Sequence, residues 1–143
     1  MTYATLDDLI DRAGEAELRQ IADRDRDGVF DASVIAAALS NADDTINGYI
    51  GKKYALPLAS VPPIVNGWAV SIARYTLHRN GAPEHVAQDY KDAITALKDV
   101  SRGLITLPVD AGAEPPVVSD ATVMAVHPAP VFTPTKLAGW RSC

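Results

Sequence analysis

Residues 31–51 read DASVIAAALSNADDTINGYIG. Within them Val34, Ile35, Ala38, Leu39, Ala42, Ile46, Tyr49 and Ile50 recur at intervals of three and four, which is the repeat of one face of an α-helix. Asp31 is placed to cap its start; Gly48 and Gly51 weaken its last turn, and Pro57 forbids its continuation. At about 1.5 Å per residue a helix over residues 32–50 is on the order of 28 Å long, enough to cross a small domain. A helix of that length sets the frame on which the flanking segments pack.

Toward the N-terminus, Thr5-Leu6-Asp7-Asp8 predicts a helix start in which Thr5 caps and Asp8 reciprocates, both acids suiting the positive helix end. Gly14 ends that helix, and a second short one follows from Glu15 to about Ala22 with Leu18 and Ile21 as its stripe. Toward the C-terminus, Tyr54-Ala55-Leu56-Pro57-Leu58 links to Val61-Pro62-Pro63, where Pro63 suits a first helical turn. The spacing then predicts a helix over about 63–79 with Ile64, Trp68, Ile72 and Tyr75 on one apolar face. Asn80-Gly81-Ala82-Pro83 stops it, and a last helix runs to about Arg102 with Val86, Tyr90, Ile94, Leu97 and Val100 aligned and Gly103 as its C-cap. Leu104-Ile105-Thr106-Leu107 is β-prone but stands alone, so it can pair only with another short segment or another chain.

Past Pro108 the composition changes. Residues 108–143 hold 6 of the 10 prolines and show no periodic apolar pattern, so they build no core of their own. They do carry apolar points at Val117, Val118, Val123, Met124, Val126, Val131, Phe132, Leu137 and Trp140, the mark of an arm that becomes ordered against a partner. The expectation is an all-α fold: a small helical bundle with a long central helix over residues 1–107, a β-prone excursion near 104–107, and an extended Pro-rich arm over 108–143.

Composition narrows the function classes. With 143 residues, 48% of them hydrophobic and 22% charged, the chain has the make-up of one ordinary globular domain. Its apolar runs are far shorter than the roughly 20 residues of a membrane span, and Met1-Thr2-Tyr3-Ala4 lacks the pattern of a secretory signal, so no membrane role is expected and synthesis in the cytoplasm is. The lone Cys143 forms no intramolecular disulfide and no multi-cysteine metal site. A net charge of −5 argues against general binding to nucleic-acid phosphates. Residues 1–50 carry 4 basic and 11 acidic side chains, whereas residues 51–107 carry 7 and 4. The basic excess of Lys52, Lys53, Arg74, Arg79, Lys91, Lys98 and Arg102 thus complements the acidic stretch of a neighbouring copy, a pattern that favours head-to-tail contacts.

Asp23-x-Asp25-x-Asp27-Gly28 reproduces the first six positions of an EF-hand calcium loop. Position 12, which must bring a bidentate carboxylate, is Val34. The turn therefore reads first as a solvated acidic connection to Asp31, with a weak cation site on Asp23, Asp25 and Asp27 as the alternative. His78, His85 and His127 have no histidine or cysteine at helical ligand spacing. Neither a Gly-x-Ser-x-Gly elbow nor a phosphate-binding glycine loop occurs. Asp43-Asp44 is an adjacent acidic pair, and adjacent helical residues point about 100° apart, which suits a solvated face better than paired acid–base work. No catalytic residues, no cofactor and no enzymatic activity are expected.

Four stretches carry a resemblance: Met1 to Ile10; the Asp-rich turn into Val29-Phe30-Asp31; Ile46-Asn47-Gly48-Tyr49-Ile50 with Tyr54-Ala55-Leu56-Pro57-Leu58; and Ile72-Ala73-Arg74-Tyr75. They resemble the small virion proteins of Mu-like phages and prophages over nearly all of residues 1–107, and Val131 to Trp140 is similar to a terminal signature of that family. The family is similar to the head-tail connectors, or adaptors, of long-tailed phages. The resemblance implies a mostly helical structural protein in the virion neck, assembling as a ring, commonly of twelve copies, beneath the portal protein. Such a ring extends the DNA channel without binding the packaged DNA specifically and offers docking to a tail-side connector or tail terminator protein.

On this reading the arm contacts the portal through Val131, Phe132, Leu137 and Trp140, and the long helix turns Asp43 and Asp44 toward the channel. A wall of copies each carrying −5 repels phosphates and lets DNA slide. The alternative from a different class is a calcium-responsive binding module using the turn from Asp23 to Asp27.

Overall fold

In a computed structural model, described for residues 1–109, five helices follow one another: α1 (Leu6–Ala13), α2 (Glu15–Ala22), α3 (Ala32–Ile50), α4 (Pro63–Leu77) and α5 (Glu84–Arg102). The long helix forms where its periodicity places it. Ile35, Ala38, Leu39, Ala42, Ile46 and Ile50 are buried along one side of α3, which packs most extensively on α4 and also touches α5. Of the two short helices, α1 packs on α4 and on α2, and α2 reaches α4 through Glu17 and Arg74.

Local chemistry explains the helix ends. The Thr5 hydroxyl accepts the Asp8 N–H while the Asp8 carboxylate accepts the Thr5 N–H at 2.7 Å, a complete capping box. Gly103 stands at φ 80° and ψ 13°, and its N–H closes the last turn of α5. Gly14 joins α1 to α2 at φ 84° and ψ 148°, a region only glycine visits freely, rather than in the left-handed helical conformation expected of a C-cap.

Three expectations change. The side chain of Asp31 does not cap α3; it turns back and accepts the Arg24 N–H at 2.8 Å, closing the acidic turn. On α4 the single stripe becomes burial around most of the helix, because α1, α3 and α5 all pack on it. Ile64 and Tyr75, assigned to the stripe, are instead 46% and 37% exposed. Third, no strand forms among the described residues: after Gly103 the chain turns so that Leu104 faces solvent and Leu107 drops into the core, its N–H donating to the Tyr54 hydroxyl at 2.8 Å. A lone apolar run with no strand to pair with satisfies its backbone on a side chain instead.

Candidate functional site

The acidic turn leaves the C-terminal end of α2, with Asp23 as its C-cap residue. The Asp23 carboxylate accepts three backbone N–H groups, from Arg26 at 2.6 Å, Gly28 at 2.9 Å and Asp27 at 3.2 Å. Asp27 in turn accepts the N–H of Val29 at 2.8 Å. Arg26 at φ 62° and Gly28 at φ 87° bend the backbone so that these N–H groups converge. The carboxylate oxygens of Asp23, Asp25 and Asp27 come within 4.8 Å of one another, so the structure does bring the three sequence candidates together. Desolvation works against the charge on Asp23, yet the N–H groups of Gly28 and Arg26 outweigh it and hold that carboxyl below its ordinary range. The turn is thus braced by its own backbone, and Val34, in the position of the missing twelfth ligand, sits half-buried in α3.

Beside the turn lies a cleft of about 810 Å³ that mixes charges, with Glu17 and Asp23 facing Arg24, Arg26, His78 and Arg79. The acidic first third of the chain and the basic middle are therefore interleaved here. Beneath the cleft runs a group that sequence reasoning missed. Arg74, only 8% exposed, donates from Nε to Glu17 Oε1 at 2.7 Å and from Nη2 to Glu17 Oε2. The ring of His78 lies 3.2 Å from the same Oε1. The Arg74 hydrogen bonds hold the Glu17 carboxyl below its usual range against the opposing effect of desolvation, with His78 adding to them. Arg74 was expected among cations facing a neighbouring copy; it is instead satisfied within its own chain. The signal that pointed to this was its place as the only charged residue of α4, a helix where an unpaired guanidinium is too costly to bury.

Asp43 also departs from expectation. It is buried at 9% exposure, not turned outward, because the Tyr3 N–H docks on its Oδ1 at 2.9 Å while the Tyr3 hydroxyl donates to Asn47 one turn further along α3. Asn66 on α4 fixes the same N-terminal segment, its amide donating at 3.0 Å to the Tyr3 carbonyl and at 3.0 Å to the Asp8 carboxylate. Burial raises the Asp43 carboxyl above its ordinary range, with the Tyr3 N–H opposing and the Asp44 charge assisting. Asp44 is exposed. Of the two channel candidates only Asp44 is thus on the surface. Val131, Phe132, Leu137 and Trp140 lie outside the described residues.

The family described as "Bacteriophage Mu, Gp36" matches residues 3–126, running past the helical domain into the Pro-rich region. The chain is 38% identical over 105 residues to the "Mu-like prophage FluMu protein gp36" of Haemophilus influenzae (strain ATCC 51907 / DSM 11121 / KW20 / Rd), covering 73% of this chain and 74% of that one. It is 30% identical over 104 residues to "Gene product J" of Escherichia phage Mu, covering 72% and 74% respectively.

Proposed function

The chain belongs to the bacteriophage Mu Gp36 family, and from that premise we propose that it is a structural head-tail connector of a Mu-like virion. The observation that carries the reading is the family match itself, which takes in both the helical domain and the first part of the arm. On this proposal copies of the chain form a ring, of twelve subunits, beneath the portal. The ring lengthens the channel through which packaged DNA passes and gives a tail-side connector or terminator its docking surface. The domain supplies rigid bulk: α3, α4 and α5 packed on one another with α1 against α4, and the N-terminal segment tied to α3 and α4 through Tyr3, Asp43 and Asn66.

The arm supplies attachment. Val131, Phe132, Leu137 and Trp140 are its apolar anchors for the portal, and the exposed Asp44 is the remaining candidate for a channel-facing charge. The expected seat of the protein is the neck of the virion; no helix among the described residues is long and apolar enough to cross a membrane.

The test mixes the full-length protein with the portal of the same phage and images the product. A ring on the portal is expected, together with its loss when the chain is truncated after residue 107 while circular dichroism still reports the helical domain. Unimpaired assembly of the truncated chain overturns the role of the arm, and no association with the full-length chain overturns the connector reading.

A further inference from the structure

Leu104 and Val29 are the two most exposed large hydrophobic side chains among the described residues, at 73% and 58%, and they stand at opposite ends of α3. The acidic turn that carries Val29 ends at Asp31, where α3 begins; the helix then runs 19 residues, about 28 Å by helical rise, to Ile50. Beside Val29, Asp25 and Asp27 are exposed as well. The Asp27 carboxylate accepts the Val29 N–H at 2.8 Å and the rest of the turn hangs on Asp23, so the valine is presented on a braced backbone. Arg24 and Arg26 line the cleft with Glu17 and Asp23, whereas Asp25, Asp27 and Val29 do not border it.

At the far end, Lys52 and Lys53 follow α3 directly. Leu56, 40% exposed, folds over this helix end, since a Cβ on Gly51 would meet its Cδ1 at 3.2 Å. Gly103 brings Leu104 to the same place, since a Cβ on Gly103 would stand 3.5 Å from the Lys53 Nζ. Arg102 lies 3.9 Å from Asp99, but Lys52 and Lys53 form no ion pair among the described residues. Single exposed apolar side chains are common on protein surfaces. What sets these apart is the charge around them, acidic at one end of α3 and basic at the other.

We infer that the Val29 turn of one copy docks on the Leu104–Leu56 surface of a second copy, with Asp25 and Asp27 facing Lys52 and Lys53. The two surfaces match in charge and in apolar character, and the length of α3 keeps them from meeting within one molecule. Each copy that engages one end leaves the other free, so the same contact repeats from copy to copy and closes when the rotation allows. The arm departs beside this surface at Leu107, but residues 108–143 carry 2 basic and 3 acidic side chains and match it less well than the turn does. A nucleic-acid backbone would answer the lysines and leave Leu104 and Leu56 without a partner. The contact is the seam of the ring proposed above and rests on that reading for the many copies it joins.

Two forms of the full-length protein test this, one with Val29→Cys and one with Leu104→Cys, both carrying Cys143→Ser, mixed in equal amounts at low salt and joined by oxidised glutathione. Mass spectrometry counts the mixed dimer against each like-with-like dimer. Chance encounter gives about a twofold excess of the mixed product; an excess of at least about tenfold is expected, falling toward the chance value in high salt. Lys52→Glu with Lys53→Glu in the Leu104→Cys form should remove the excess, and adding Asp25→Lys to the Val29→Cys form should recover part of it. Circular dichroism checks that every form keeps its helices. A chance ratio in the unreversed mixture overturns the inference, as does an excess that the lysine reversals leave unchanged or that Asp25→Lys fails to recover at all. The portal takes no part in these readouts. Portal docking without this preference strikes the contact alone, and the preference without portal docking strikes the connector reading alone.

Discussion

Arg74 on α4 holds both carboxylate oxygens of Glu17 on α2, 57 positions earlier in the sequence. The pair is the main polar tie between the short N-terminal helices and the central bundle among the described residues, and it is partly withdrawn from water, with side-chain exposures of 10% for Arg74 and 25% for Glu17.

Removing one partner is therefore expected to cost more than removing both. Glu17→Ala leaves a buried guanidinium unpaired and should destabilise the domain by about 2 to 3 kcal/mol, at or just below the low end of the roughly 3 to 5 kcal/mol of a fully buried pair because Glu17 keeps some solvent. Glu17→Ala combined with Arg74→Met should recover most of that loss. Urea unfolding midpoints of the two single variants and the double variant decide the matter; equal losses in single and double variants refute it.

Acid should act on this domain through carboxyl groups whose pKa values are shifted in opposite directions. Glu17 and Asp8 have folded pKa values below their unfolded ones, Glu17 chiefly through Arg74 and Asp8 through the Thr5 N–H. Their stabilisation is full above the unfolded values of 4.5 and 3.8 and is lost as pH falls through the lower folded values. Asp43 is raised by burial, so its contribution runs the other way: it favours the folded state below its unfolded value of 3.8 and is lost as pH rises through the folded one. Asp43→Asn, whose amide oxygen still accepts the Tyr3 N–H, should thus gain stability relative to the parent at neutral pH. That gain should vanish under acid conditions in which Asp43 itself is protonated. Thermal unfolding of both proteins across the acid range measures the crossover.

Much of this architecture is legible in the sequence because local rules and burial agree there. The α3 repeat, the Thr5–Asp8 capping box and the Gly103 C-cap all follow from residue type and spacing, and all stand in the structure. What is not legible depends on partners distant in the chain. Nothing near Asp43 announces that Tyr3, 40 positions earlier, will bury it. Nothing local separates an Arg74 that faces a neighbouring molecule from one that closes on Glu17. Asp31 shows the same limit at short range, since a cap-forming residue also satisfies a turn, and here the Arg24 N–H takes its carboxylate.

Calcium should bind the Asp23–Asp27 turn weakly if at all. Three N–H groups already occupy the Asp23 carboxylate, Asp31 is engaged by Arg24, and Val34 offers no oxygen. Calorimetry with calcium is expected to give little heat, and the thermal midpoint should be the same with calcium as with a chelator. A saturable, calcium-dependent rise in that midpoint, abolished by Asp25→Asn, would favour the calcium-responsive module instead.

Tyr54 decides where the arm departs from the domain. Its hydroxyl is the acceptor for the buried N–H of Leu107, and no ladder of neighbouring strands is present among the described residues to take that bond over. Tyr54→Phe keeps the ring in the core but strands the Leu107 donor, at a cost of about 1 to 2 kcal/mol. Because residues 103–109 lie at the edge of the fold, the chain has a cheaper response than global unfolding: the segment lifts, Leu107 leaves its pocket, and the arm starts several residues earlier. Amide exchange of Leu107 should then quicken by at least about tenfold, while amides in the middle of α3 change far less. Uniform acceleration across the whole domain would instead mean that Leu107 is part of the cooperative core and that the arm root is as firm as the helices it follows.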